Sequence, residues 1–158
     1  MCAREGLVLR FSTKRFGTID ITEDQIITFS GGLIGFPLYR RFFVLDLDTS
    51  GVFKWLQSLD DHALGFVILD PKMLFADYEP LFVEKDLVSL GAPCPDELII
   101  LSVVTVTKDA REMTVNLQAP LVINPSKRLA KQVITTVQEY TTKHEVFSHL
   151  YNLMKRTG

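Results

Sequence analysis

Apolar residues recur along this chain in two rhythms, and the strand rhythm dominates. Residues 7–11, 25–29, 42–46 and 65–69 are largely apolar runs of strand length, and residues 16–21 alternate apolar with polar side chains, the period of a half-buried strand. Gly31 and Gly32 close the run at 25–29, and Asp70-Pro71 closes the run at 65–69 because proline cannot continue a ladder. Residues 98–107 form the strongest predicted strand, rich in β-branched Ile, Val and Thr. A turn at Lys108, Asp109, Ala110 and Arg111 leads into a strand at 113–117, and segments 121–123 and 133–137 complete the set. Helical spacing occurs twice. Residues 81–90 place apolar side chains at 82, 83, 87 and 90 before Gly91, and Val146, Phe147, Leu150, Tyr151, Leu153 and Met154 mark an amphipathic C-terminal helix. The pattern predicts a mainly β fold (all-β, or α+β once the helices are counted): a small antiparallel barrel with a few short helices and that C-terminal helix. One β-rich domain is expected over residues 1–144, with 145–158 as a helical tail packed on it.

Composition changes this picture little. The chain has 158 residues, enough for a single core without disulfides or metal, and its 47% hydrophobic and 23% charged content is ordinary for a globular domain. Net charge is −2, which disfavours a general electrostatic grip on nucleic acid. No apolar run approaches the length of a membrane span, and the first six residues hold no apolar signal core. Cys2 and Cys94 form no motif and read as reduced, cytosolic thiols. The charge is unevenly spread: residues 42–100 carry eleven acidic and three basic side chains, and residues 113–158 carry six basic and two acidic ones. An acidic face would speed the arrival of a basic partner. Composition alone favours the plainer reading of a solvated face.

The search for chemistry finds no cofactor and no metal motif. Gly31-Gly32-Leu33-Ile34-Gly35 lacks the spacing of a phosphate loop and reads as a sharp backbone bend. His144 and His149 are five apart, which turns them away from each other on a helix, and His62 follows Asp60 and Asp61 in what reads as a polar turn. Cys94 sits between two prolines with no base indicated beside it. Carboxylates are plentiful, but the linear order singles out no acid–base pair. No RNP-like string supports RNA binding. A small-molecule-binding barrel and an enzyme using surface carboxylates stay open as alternatives. Binding to other proteins fares better by elimination.

Several segments taken in order resemble one family. Gly17-Thr18-Ile19, then Phe29 through Phe36, then Trp55-Leu56-Gln57-Ser58-Leu59-Asp60-Asp61, Phe66-Val67-Ile68 with Asp70-Pro71, and Tyr78 resemble the flagellar assembly factor FliW family. The run from Thr114 to Asn124, followed by Arg128 and Gln132-Val133-Ile134, resembles that family's most distinctive segment. At Ile34 the family more often has proline, a change expected to alter turn stiffness. The resemblance implies a non-enzymatic cytoplasmic protein with a barrel-like fold. It implies flagellin and the translational regulator CsrA as partners, with no direct nucleic acid and no membrane. The implied mechanism is a switch: flagellin occupies the factor until it is exported, and the freed factor then captures CsrA and relieves repression of flagellin translation.

Within that frame the candidate partner-binding residues are Tyr39, Asp77, Tyr78, Glu79, Glu84, Asn116 and Gln118. Tyr39 is a candidate exposed aromatic anchor, whereas core burial is favoured for Phe36. Tyr78 lies between two acids and combines an aromatic with charge. The amides of Asn116 and Gln118 can bond partner backbone or satisfy the turn at Ala119-Pro120.

Overall fold

The computed structural model describes residues 8–91 and 95–157, so Cys2 and Cys94 lie outside the described residues. The strands are β1 (Val8–Thr13), β2 (Gly17–Thr22), β3 (Ile27–Phe29), β4 (Arg41–Asp46), β5 (Phe53–Ser58), β6 (Gly65–Leu69), β7 (Ile99–Thr105), β8 (Thr114–Val115), β9 (Leu121–Asn124), β10 (Leu129–Gln132) and β11 (His144–Glu145). The helices are α1 (Pro71–Leu74), α2 (Glu84–Ser89) and α3 (Phe147–Thr157).

The β-branched segment β7 is the hub. It pairs with β6 on one side and with both β9 and β8 on the other, and the order β7-β6-β5-β4-β3-β10-β9 returns to β7 as a closed seven-stranded barrel. An odd ring of strands cannot alternate direction throughout, so one neighbouring pair must run parallel. That pair is β10 with β3, where Leu129 stands opposite Thr28 and Ala130 opposite Phe29. The mainly antiparallel barrel expected from the sequence is observed, with this one parallel seam.

Directly paired residues share a face, and the registers carry one face around the ring. Val44 opposes Leu56, Leu56 opposes Phe66, Ile68 opposes Val103, Leu101 opposes Leu121, and Ile123 opposes Ala130. With Phe29 and Phe42 in edge-to-face contact, these side chains form the barrel core. Three covers shield the outer face. The β1–β2 hairpin brings Phe11 onto Phe43 and Phe16 onto Trp55, with the Arg15 guanidinium 4.8 Å from the Trp55 ring. A Cβ on Gly65 would come within 2.3 Å of that ring, so only glycine fits there. α1, the chain at 75–78 and α3 cover Val104, Val115 and Leu117, while Leu90 beyond α2 packs with Phe82 on Val122 and Val133.

Other boundaries moved for local reasons. β5 was not expected as a strand, because Lys54 and Gln57 interrupt its apolar pattern. Lys54 reaches the rim of the barrel and pairs with Asp46 at 2.9 Å, while Gln57 accepts from Trp55 Nε1 and donates to the carbonyls of Ser58, His62 and Leu64. Residues 133–137, expected as a strand, continue the ladder bonds briefly past β10, with Val133 N–H on Pro120 O at 3.0 Å and Thr135 N–H on Gln118 O at 2.8 Å, and then turn toward Leu81. There Thr136 N–H donates to Leu81 O, and the Thr135 hydroxyl bonds both Leu81 O and Leu81 N–H. The strand expected over 113–117 is cut to two residues, and the chain from Asn116 turns across the barrel end.

A cleft at one end of the barrel

The barrel has two open ends. At one, Ile27, Val44, Leu101 and Ile123 floor a hollow of about 420 Å³ rimmed by Asp24, Asp46, Lys54 and Arg128. At the other, Leu33, Phe66, Val103 and Ala119 floor a cleft of about 340 Å³. Ile34, Asn116, Gln118, Gln132, Ile134 and Thr142 supply its walls, so no ionisable side chain lines it.

Three sequence segments meet there. The first is the glycine-rich bend. Gly32 adopts φ +67°, and a Cβ on it would lie 2.5 Å from Phe36 O and 2.7 Å from Pro37 Cα. Both obstacles are backbone, so the bend requires glycine. Beyond it, Leu33 and Phe36 exchange backbone hydrogen bonds of 3.2 and 2.8 Å, which projects Ile34 outward. Phe36 tucks back against Phe66 with ring centroids 5.3 Å apart. The second segment is the turn after β8. Asn116 Oδ1 accepts from Gln118 N–H at 3.1 Å and Ala119 N–H at 2.9 Å, which fixes the turn and leaves the Gln118 side chain exposed. The third is Gln132 at the end of β10. Its Oε1 accepts the Ile34 N–H at 2.8 Å and its Nε2 donates to Ala119 O at 3.0 Å, so one amide fastens both walls. Proline at position 34 has no N–H to give, so Ile34 sets more than turn stiffness: it supplies one half of this clamp.

The expected site residues fall in different places. Asn116 and Gln118 share the cleft. Tyr39 is half-buried against the barrel core beside Phe36 and lines neither end. Asp77, Glu79 and Glu84 are exposed and form no ion pair among the described residues. Tyr78 is corrected: it is 1% exposed, and its hydroxyl donates to Leu117 O at 2.8 Å. An apolar floor below β8 needed a large side chain, and a tyrosine filled it because Leu117 O was there to bond its hydroxyl. Burial pushes its phenol above the ordinary range, with the Tyr140 phenol beside it adding to the effect. Three wall residues escaped the sequence reading, Thr142 among them with no motif around it. Ile134 was hidden in the segment expected as a strand, and Gln132 was visible only as part of a family motif.

His144 and His149 were expected to turn apart on one helix. Instead β11 holds His144 and α3 holds His149, and both rings meet Phe75, with centroids 6.0 and 4.2 Å away. Burial, and then His149 beside it, pushes His144 below its ordinary value, and its Nε2 accepts the Thr141 N–H at 2.8 Å. No group of three or more metal-ligating side chains occurs among the described residues. No helix among them is long and apolar enough to cross a membrane.

A closed small barrel with an uncharged, amide-walled cleft at one end has the features of a protein-binding module. Comparison with known proteins narrows that class. A family profile described as FliW protein matches residues 10–146. The flagellar assembly factor FliW of Natranaerobius thermophilus is 38% identical over 141 residues, spanning 89% of this chain and 93% of the relative. That of Geobacter sulfurreducens is 38% identical over 139 residues, spanning 88% and 87%. A crystal structure of the flagellar assembly factor FliW matches with a TM-score of 0.80 at 39% identity, covering 88% of this chain and 97% of the other. The chain belongs to the FliW family of flagellar assembly factors.

Proposed function

We propose that this protein works by exchanging partners: it holds flagellin in the cytoplasm and, once flagellin is exported, binds CsrA and relieves repression of flagellin translation. The observation that carries this reading is the cleft, where the most distinctive family segment and the glycine-rich bend face each other through Gln132 with no catalytic pairing between them. Its apolar floor and amide walls suit a protein segment, which brings apolar side chains and backbone polar groups together. Asn116 spends its carbonyl on the turn, so the exposed Gln118 amide and the apolar Ile34 and Ile134 are the groups offered to a partner. Asp77, Glu79 and Glu84 supply a field that draws in a basic RNA-binding protein such as CsrA.

The test is calorimetric titration of the full chain with purified flagellin and, separately, purified CsrA, repeated with Gln118→Ala and Ile134→Asp. Saturable binding of both proteins, weakened by the cleft variants for at least one, agrees with the proposal. Absence of heat with both partners, from a chain shown to be folded by its single tryptophan, refutes it.

A further inference from the structure

The histidine of β11 stands at the root of one cleft wall. Thr141 N–H donates to His144 Nε2 at 2.8 Å. A backbone N–H can only donate, so that ring nitrogen carries no proton. The Thr141 carbonyl in turn accepts two amides of the turn after β8, Leu117 N–H at 3.0 Å and Gln118 N–H at 3.1 Å. Gln118 N–H has Asn116 Oδ1 as a second acceptor, whereas Leu117 N–H has no other among the described residues. Thr142, the next residue along, lines the cleft together with Gln118. One bare nitrogen therefore holds the segment that holds the Gln118 wall. The ring itself is anchored from the barrel, because His144 pairs with Val115 and Glu145 with Thr114.

The titratable groups around the ring are His149 from α3, Asp77 and Tyr78 from the chain after α1, and Tyr140 from its own segment, all lining one hollow with it. Lys143 and Glu145 flank it in the chain, and β8 opposes it with uncharged Thr114 and Val115. Among the described residues no carboxylate pairs with the ring, and Glu145 is turned to the Ser148 N–H at 2.6 Å. Burial first and His149 second hold the ring below its ordinary 6.5, so it is neutral at neutral pH and takes up a proton on acidification.

We infer that His144 is a pH-sensitive clasp on the cleft: its neutral ring holds Thr141, and through Thr141 the Leu117–Gln118 wall, and a proton on Nε2 releases them. The protonated nitrogen becomes a donor and meets the Thr141 N–H, so an acceptor is replaced by a second donor. Thr141 then moves away, and its carbonyl no longer reaches both amides. The inference rests on the partner-exchange reading for what the cleft binds, with the partner gripped at neutral pH and loosened in acid; the clasp itself does not depend on it.

Hydrogen exchange of the full chain, expressed as protection factors so that the intrinsic pH dependence divides out, is followed from about pH 7.5 to about pH 5 while NMR records the His144 titration. The Leu117 amide loses about tenfold in protection with the midpoint of that titration, and the amides of β4 to β6 do not. His144→Gln keeps an acceptor that takes up no proton, so its Leu117 amide is equally protected throughout. His149→Gln removes the neighbouring ring and moves the His144 midpoint upward. Constant protection of Leu117 while His144 titrates, an equal loss in a folded His144→Gln, or a ring that stays neutral down to about pH 5 overturns the inference. The second arm is affinity for flagellin and for CsrA: on acidification the native chain loses about fivefold more than His144→Gln for one of the two, and equal losses for both overturn the inference. If neither protein binds at neutral pH, the partner-exchange reading falls, and the exchange pattern alone decides the clasp.

Discussion

Gln132→Ala removes the one side chain that fastens the two walls of the cleft. Both of its hydrogen bonds are between uncharged groups, at 2.8 Å to the Ile34 N–H and 3.0 Å to Ala119 O. Each such bond contributes about 0.5–1.5 kcal/mol net, so losing both costs about 1–3 kcal/mol. For a chain of this size that is a fall in Tm of roughly 2–12 °C. Urea unfolding followed by Trp55, the sole tryptophan, measures it directly, because that ring sits under the hairpin on the outer face, away from the cleft. Gln132→Glu is the informative partner variant. A carboxylate still accepts from the Ile34 N–H but faces the Ala119 carbonyl with no proton to donate, so it is destabilised as well at neutral pH. A loss below about 0.5 kcal/mol for the alanine variant means that water replaces both bonds and that Gln132 does not set the cleft.

Three further outcomes follow from the same structure. Asp77→Lys/Glu79→Lys/Glu84→Lys slows CsrA association by roughly tenfold at low salt and flattens its salt dependence in stopped-flow measurements; an unchanged rate from a folded variant removes these acids from the mechanism. Gly32→Ala forces a Cβ onto the Phe36 and Pro37 backbone at a left-handed φ, and costs about 2–4 kcal/mol in the same urea assay. At Asp60, burial raises the carboxyl, but the N–H groups of Arg41 and Arg40 with the Arg41 side chain outweigh it and hold the group below its ordinary 3.8. A depressed folded value means that its stabilisation is present above that ordinary value and is lost as pH falls below it. Asp60→Asn therefore flattens the acid limb of the urea midpoint between about pH 5 and 2, whereas the native chain loses stability there.

Most of the barrel could be read from the chain because its strands bury one or both faces. The continuous apolar runs of β4, β6 and β7 and the β9 segment declared themselves for that reason. β5 did not, since Lys54 sits at the barrel rim and Gln57 holds loop carbonyls, so its polar positions follow tertiary demands rather than strand period. Residues 133–137 are a partial case: Val133 and Thr135 carry the β10 ladder on to Pro120 and Gln118, and Thr136 then bonds Leu81 instead. The parallel seam between β3 and β10 joins residues a hundred apart and leaves no local trace. Site residues divide the same way. Asn116 and Gln118 lie in a turn whose prolines advertise it, whereas Tyr78 carries nothing in its neighbours, Asp77 and Glu79, to show that it faces inward. Gln132 has no pattern at all, because its two partners lie 98 and 13 residues away.

The most direct test of the account is a displacement experiment on the full chain. A complex of the chain with fluorescently labelled CsrA is titrated with purified flagellin while sedimentation velocity follows the labelled species. Partner exchange predicts that labelled CsrA returns to its free sedimentation rate in proportion to the flagellin bound. A stable species containing the chain, CsrA and flagellin together contradicts it.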